Sequence, residues 1–433
     1  MLWMDTNLIF MNNRWQLTFW ILLFVFCNEV YAQKSLVENI NNHLIKIDTN
    51  QRGIDAESIA SFSKVLSGNK IIALGEETHG IKQFTDFRGD LIKYLVTNLK
   101  YKVIVLEADF YGTQALNSYI NSGNVDKYYA LLSTGMGIYR TPEFLNIVEW
   151  LREYNSKATQ EEKVSVHGCD MQKSAAIAYL STGNLKLSKD LSLPAKEGLR
   201  ILLGHVNSKN NDAKNKLDQL VHELSQELLL LPDSSVLARS IKTILQYDQY
   251  FREKYNYKRS IIRDKSMAQN VFWIYEHEKR KPTILLAHNG HISKSPVSSD
   301  IRSMGSYLKE IFDDTYYVLG MAFFEGSFSA GNVKTSQLEV FQMTDTKNTE
   351  SSEYVFSQCR FANFMLDFNQ VSKNAIVSDF LSKRTYSRNI GATYNPTEKQ
   401  INNVFMPLRD RFDGITFFRN VTPLPFPFRW DKK

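Results

Sequence analysis

The chain has 433 residues, 43% hydrophobic and 12% aromatic, enough to bury one large core or two ordinary ones, which excludes wholesale disorder. Its 52 basic and 46 acidic residues leave a formal charge of +6, with the two signs intermixed along the chain. That scatter serves solubility and lacks the basic tract of a nucleic-acid binder.

The first 32 residues stand apart. Asn12, Asn13 and Arg14 precede the apolar run Trp15 to Phe26, and Val30-Tyr31-Ala32 offers small residues near a cut. This predicts a secretory signal peptide cleaved after Ala32 and an exported, periplasmic or extracellular protein. The apolar run is about a dozen residues, short of the roughly 20 that a spanning helix needs. No stable membrane insertion is expected once it is removed; retention as an N-terminal anchor is the alternative. Met11, just before the charged residue, is an alternative start to Met1. Cys27 follows Val25-Phe26 rather than the small residue of a lipoprotein site, and Cys169 and Cys359 are too few for a disulfide framework.

Residues 33–433 then read as one α/β domain. Short apolar runs occur at 70–77, 101–109, 163–172, 281–291, 315–326 and 412–419, the pattern of strands buried on both faces. Helical spacing fills 84–99 and 143–154. Alternation of the two predicts a mainly parallel central sheet flanked by helices. Residues 173–270, poor in Gly and Pro, predict a helical insertion covering one side of an active-site cleft, and the polar stretches 333–360 and 393–404 are expected to be loops.

Polar residues cluster where these strands end. Glu76, Glu77 and His79 follow the first, Glu107 and Asp109 the second, His167 and Asp170 the third, His288 and His291 the fourth. Ligands of open α/β sheets bind beyond the carboxyl ends of strands, so four adjacent ends would converge on one cleft. Taken singly, Glu107 reads as a helix cap or ion-pair partner, His167 as half-core, and His43, His205, His222 and His277 as surface residues. The conjunction is the signal.

The motifs G-x-S-x-G, H-E-x-x-H and G-x-x-x-x-G-K-[ST] are missing from the sequence, as is G-x-G-x-x-G after a strand. What remains is a His/Glu/Arg set able to deprotonate water directly. No cofactor is expected; a divalent metal on two or three histidines with Glu107 stays open.

The segments "GEETHG" (75–80), Arg88, "VLEAD" (105–109), "HGCDMQ" (167–172), "RDKSMAQN" (263–270), "LLAHNGHISK" (285–294), "RNIGATY" (388–394) and "FDGITFF" (412–418) together resemble the erythromycin esterases, in the order of that family. The resemblance implies hydrolysis of a carboxylic ester, a macrolactone in the name-giving members, with no serine nucleophile. It implies His79 as the base that activates water, with Glu76 or Glu107 orienting it. Arg88, His288 or His291 would then stabilise the oxyanion and protonate the leaving group. Arg88 lies nine residues after His79 in the following helix, roughly 13 Å along its axis, so its side chain has to point back toward the cleft. The chain departs from the family in carrying Glu77 between Glu76 and Thr78, an added carboxylate expected to alter substrate charge preference. The expected partner is a small-molecule ester, not nucleic acid. A metal-dependent hydrolase, peptidase-like, and a non-catalytic exported binding protein are the alternative readings.

Overall fold

The computed structural model describes Tyr31 and residues 33–425, apart from 51–52, 55, 173, 206–210, 297–299, 345–347 and 398–402. The expected signal peptide, Tyr31 excepted, lies outside the described residues.

Among the described residues, ten strands form the central sheet: β1 (Ile45–Lys46), β2 (Ile71–Leu74), β3 (Val103–Asp109), β4 (Ser165–Asp170), β5 (Thr283–Leu286), β6 (Tyr316–Asn332), β7 (Leu338–Met343), β8 (Asn363–Asp367), β9 (Thr393–Tyr394) and β10 (Gly414–Val421). Their order is β1-β8-β10-β6-β2-β5-β3-β4, with β7 and β9 paired to β6. From β10 to β4 all neighbours are parallel. β1 and β8 add an antiparallel edge, and β7 runs antiparallel along the far half of β6.

The continuous apolar runs behave as strands covered on both faces. In β2, Ile72 and Leu74 enter one core cluster while Ile71 and Ala73 enter the other; in β3, Ile104 and Leu106 oppose Val103 and Val105 in the same way. This is the two-residue alternation of a pleated strand with helices on either side.

Helix α1 (Lys82–Asn98) buries Phe84, Phe87, Leu91, Ile92 and Leu95 at three- and four-residue spacing, and Arg88 shares that inner face. Helix α2 (Pro142–Lys157) begins at Thr141, whose side chain accepts the Phe144 amide, with proline in the first turn. The insertion is helical as expected: α3 (Ala175–Ser181), α4 (Leu193–Leu202), α5 (Asn211–Leu228), α6 (Val236–Arg252) and α7 (Asn256–His277), the last running past residue 270. It packs around its own cluster, which includes Ile177, Leu199, Leu217, Leu224 and Ile241.

The two expected loops contain ordered structure. Within 333–360 lie β7 and the short helix Ser352–Ser357; within 393–404 lies β9, and Asn403–Pro407 pairs antiparallel with Arg384–Arg388. β7 reads "LEVFQM", its apolar residues interrupted by Glu339 and Gln342, with Leu338 and Val340 exposed. A strand with one wet face never shows the continuous run that marks the buried strands.

Candidate active site

The chain crosses from β2 to β3 and β4, and β5 then returns to lie between β2 and β3, while β6 falls on the other side of β2. The carboxyl ends of β2, β3 and β5 therefore meet where the strand order reverses, the usual ligand position in such sheets.

Beyond β2, residues 75–80 pass too close to their neighbours for a side chain at either end, Gly75 and Gly80. A Cβ on Gly75 would lie 2.0 Å from Asn289 Oδ1, and one on Gly80 1.7 Å from the Ser329 carbonyl. Glycine is needed here for close approach. Asn289 ties the three segments together. Its amide N–H donates to the Glu76 carbonyl (2.8 Å), and its side chain donates to the Met321 carbonyl (2.8 Å) and accepts the Met321 amide (3.2 Å).

His79 Nδ1 donates to Glu76 Oε1 at 2.7 Å. The other carboxylate oxygen receives Arg88 Nη1, also at 2.7 Å, so the guanidinium does point back along α1 to the strand end. Arg88 Nη2 donates to the carbonyls of Leu74 (2.8 Å) and Ala287 (3.0 Å), bracing it across β2 and β5. Burial pushes the Glu76 carboxyl up, but Arg88 and His79 outweigh burial and hold it below the ordinary value, ionised. The imidazole is thus fixed with its proton on Nδ1, and Nε2 has no partner among the described residues. His79 is 9% exposed and lines a recess of about 180 Å³ with Met136, Ile138, Ala330, Leu338 and Leu424.

His288, whose ring centroid lies 5.4 Å from that of His79, is occupied at both nitrogens. Nε2 donates to the Glu77 carbonyl at 3.0 Å and Nδ1 accepts the Gly290 amide at 3.1 Å. Burial, with His79 and His291 nearby, pulls its pKa down to about 3. It is a neutral ring bonded to backbone.

Glu107 closes β3, where the register against β4 shifts between Leu106 and Asp109, a bulge that re-aims the strand end. Its Oε2 accepts the His288 amide at 2.9 Å and its Oε1 accepts Arg263 Nη2 at 2.8 Å. Arg263, from α7, also donates to Asp170 Oδ2 through Nη2 (2.7 Å) and Nε (3.1 Å), and to His291 Nε2 through Nη1 (2.9 Å). His291 Nδ1 donates in turn to Asp264 Oδ1 at 2.8 Å, and that oxygen also accepts the Met304 amide. Burial works against charge on Glu107, yet His291 and Arg263 hold its carboxyl well below the usual range. Burial pulls the His291 ring down, and Asp264 and Glu107 more than reverse it, raising the ring above its ordinary value.

Sequence reasoning named Glu76, His79, Arg88, Glu107, His288 and His291, and the structure brings all six to this one place. Glu77 does not reach the cleft. Wholly buried, it receives Arg388 Nε at 3.1 Å and the Phe323 amide at 3.0 Å, and burial pushes its carboxyl up to about 8 against the pull of Arg388. The Glu77 carbonyl also accepts the Ile390 and Gly391 amides, latching the segment after Arg388 onto the turn. His167 is structural, paired with Glu278 at 2.7 Å.

Arg263 and Asp264 were not singled out by sequence reasoning, although both open the "RDKSMAQN" stretch; two charges on a polar helix carry no signal until the sheet end opposite them is known. Through them the insertion borders the site on the Glu107 side, while the recess beside His79 is walled by residues 136–138, 141, 329–330, 338, 392 and 424–425. Among the described residues no three or more His, Cys, Asp or Glu side chains are placed to hold a metal ion. Between Glu107, Asp170 and His291 lies the Arg263 guanidinium.

The family model for erythromycin esterase matches residues 96–421, beginning after the turn that carries Glu76 and His79. An erythromycin esterase type II of Escherichia coli is 27% identical over 364 residues, covering 72% of this chain and 83% of that protein. A putative hydrolase of Bacillus subtilis (strain 168) is 21% identical over 424 residues, covering 87% and 90%. Among solved structures, a Bacillus cereus protein superposes with a TM-score of 0.76 at 20% identity, over 92% of this chain and 99% of that one. A mutant of the erythromycin esterase EreC in its open conformation gives 0.65 at 18%, over 89% and 100%. These structures share the fold. With three quarters of its length matched by the family model, the chain belongs to the erythromycin esterase family.

Proposed function

We propose that this member of the erythromycin esterase family is an exported hydrolase that cleaves a carboxylic ester of a small molecule with water activated by His79, without a serine nucleophile. The observation that carries the reading is the His79 ring, held by Glu76 at Nδ1 and unpartnered at Nε2, on the wall of an apolar recess.

In this reaction Nε2 takes a proton from water and the hydroxide attacks the ester carbonyl. The tetrahedral adduct collapses to carboxylic acid and alkoxide, the imidazolium returns its proton to the alkoxide, and the acid ionises by giving its own proton to solvent. Ionised Glu76 stabilises the imidazolium between those steps. Arg88 acts through Glu76, since both of its terminal nitrogens are taken. His288, with both nitrogens bonded to backbone, positions the turn rather than moving protons. The recess favours an ester with apolar substituents, and macrolactones are the first candidates because of the E. coli relative. Export rests on the pattern of the first 32 residues; among the described residues no helix is long and apolar enough to cross a membrane.

The test is turnover of a panel of short-chain esters, macrolactones and peptides by the wild type and His79→Asn, each with and without a strong chelator. Loss of a general base of this type should lower kcat by about 10²–10⁴-fold. Undiminished ester turnover by His79→Asn would sink the assignment, and turnover abolished by the chelator would replace it with a metal-dependent one.

A further inference from the structure

We propose that Arg263 is a positioning residue for this site: one guanidinium that fixes the orientation of Glu107 and the proton arrangement of His291 together. The inference rests on the ester-hydrolase reading for its kinetics and on the geometry alone for its spectroscopy.

The side chain makes four donor contacts, to Glu107, to His291 and twice to Asp170, at 2.7–3.1 Å. Such a contact set uses the planar fork of guanidinium; the point charge of a lysine cannot span three acceptors on three separate elements. Because Nη1 donates to His291 Nε2, that nitrogen must be an acceptor, and the ring proton must sit on Nδ1 toward Asp264. Because Nη2 draws in Glu107 Oε1, the other oxygen is left on the His288 amide, which sets the turn facing His79.

Without the guanidinium, two buried carboxylates, Glu107 and Asp170, lose their shared cation. His291 Nε2, 3.4 Å from Glu107 Oε1, is then free to take a proton and turn to that carboxylate. The groups that face Glu107 from neighbouring elements are His291, Arg263 and His79, with Tyr139 and Cys169 also close enough to feel its charge; Asp264 faces His291 from α7. Arg263 lowers both Glu107 and His291, so its removal moves both upward. Both changes act in one direction: protonated Glu107 and protonated His291 persist to higher pH.

The experiment compares the full chain with Arg263→Lys and Arg263→Gln on an ester that the wild type turns over. Its readouts are kcat and KM across pH, thermal melting, and the ring ¹⁵N resonances of His291, assigned by their loss in His291→Gln. The expected result is a fall in kcat of about 10²-fold for either variant, a KM changed by less than about threefold, and an acid limb of kcat/KM displaced to higher pH. In the wild type the His291 resonances should report, above the pH at which the ring titrates, a neutral ring protonated at Nδ1, and in Arg263→Gln an imidazolium over a wider pH range. An acid limb and His291 resonances that superpose on the wild type would overturn the proposal and leave Arg263 a stabilising residue only. If the wild type hydrolyses no ester, the ester reading fails, and the His291 resonances still decide the role of Arg263.

Discussion

Two groups of charged residues sit side by side at this sheet edge, and they end differently. On the α1 side, Arg88, Glu76 and His79 form a line of pairs that finishes on an imidazole nitrogen with no partner among the described residues. On the α7 side, Glu107, Asp170, Arg263, His291 and Asp264 bond back onto one another. A buried polar network with every member satisfied is rigid and chemically quiet, whereas a fixed ring with one open nitrogen is poised to exchange a proton. On the proposed reading, the contrast separates a working group from its scaffold although both are built from carboxylate, arginine and imidazole.

The sharpest way to break this comparison is to exchange activity for stability across it. Asp170→Asn leaves part of a buried ion pair uncompensated and should cost about 3–5 kcal/mol in urea unfolding. His79→Asn, expected to lower kcat by about 10²–10⁴-fold, should cost less than about 1 kcal/mol. Equal losses of stability from the two would show that no such division exists. Within the open line, Glu76→Gln removes the charge that steadies the imidazolium and should lower kcat by about 10²-fold with KM nearly unchanged; a purely KM effect would reassign Glu76 to substrate binding.

Acid sharpens the picture next. With its folded pKa near 3, below the ordinary histidine value, His288 contributes stability that is present above about pH 6.5 and lost as the pH falls toward 3. His291, raised in the folded state, contributes with the opposite sign. Unfolding free energies at pH 7 and pH 5 should therefore converge in His288→Gln relative to the wild type, by up to about 1.4 kcal/mol for each pH unit below 6.5. Parallel curves would mean that His288 takes up protons in the native protein. The smallest effect is at the recess: Leu338→Ala, at its exposed wall, should raise KM for a bulky ester by about three- to tenfold without changing kcat.

How much of this was legible depends on how each residue announces itself. The buried parallel strands were readable because a strand covered on both faces is apolar without interruption, and the site followed because acids and imidazoles fall directly after such runs. β7 was not readable, since Glu339 and Gln342 interrupt its apolar residues and its pairing exists only through the long extension of β6. Arg263 could not be chosen from the other arginines before α7 was set against β3 and β4. Glu77 looked functional from its place beside Glu76, yet adjacent residues of an extended turn point in opposite directions, and its carboxylate went to Arg388.

That pairing of Glu77 with Arg388 joins positions 311 residues apart. A ribosome adding about 5–20 residues per second takes roughly 15–60 s to travel from one to the other. For that interval the nascent chain carries the turn of Glu76 to His79 with neither the arginine that faces Glu77 nor the amides of Ile390 and Gly391 that hold its carbonyl. The site is therefore assembled last, by the C-terminal segment. A polypeptide released early would carry every residue of the His79 line but lack the contacts that latch Glu77 beside it.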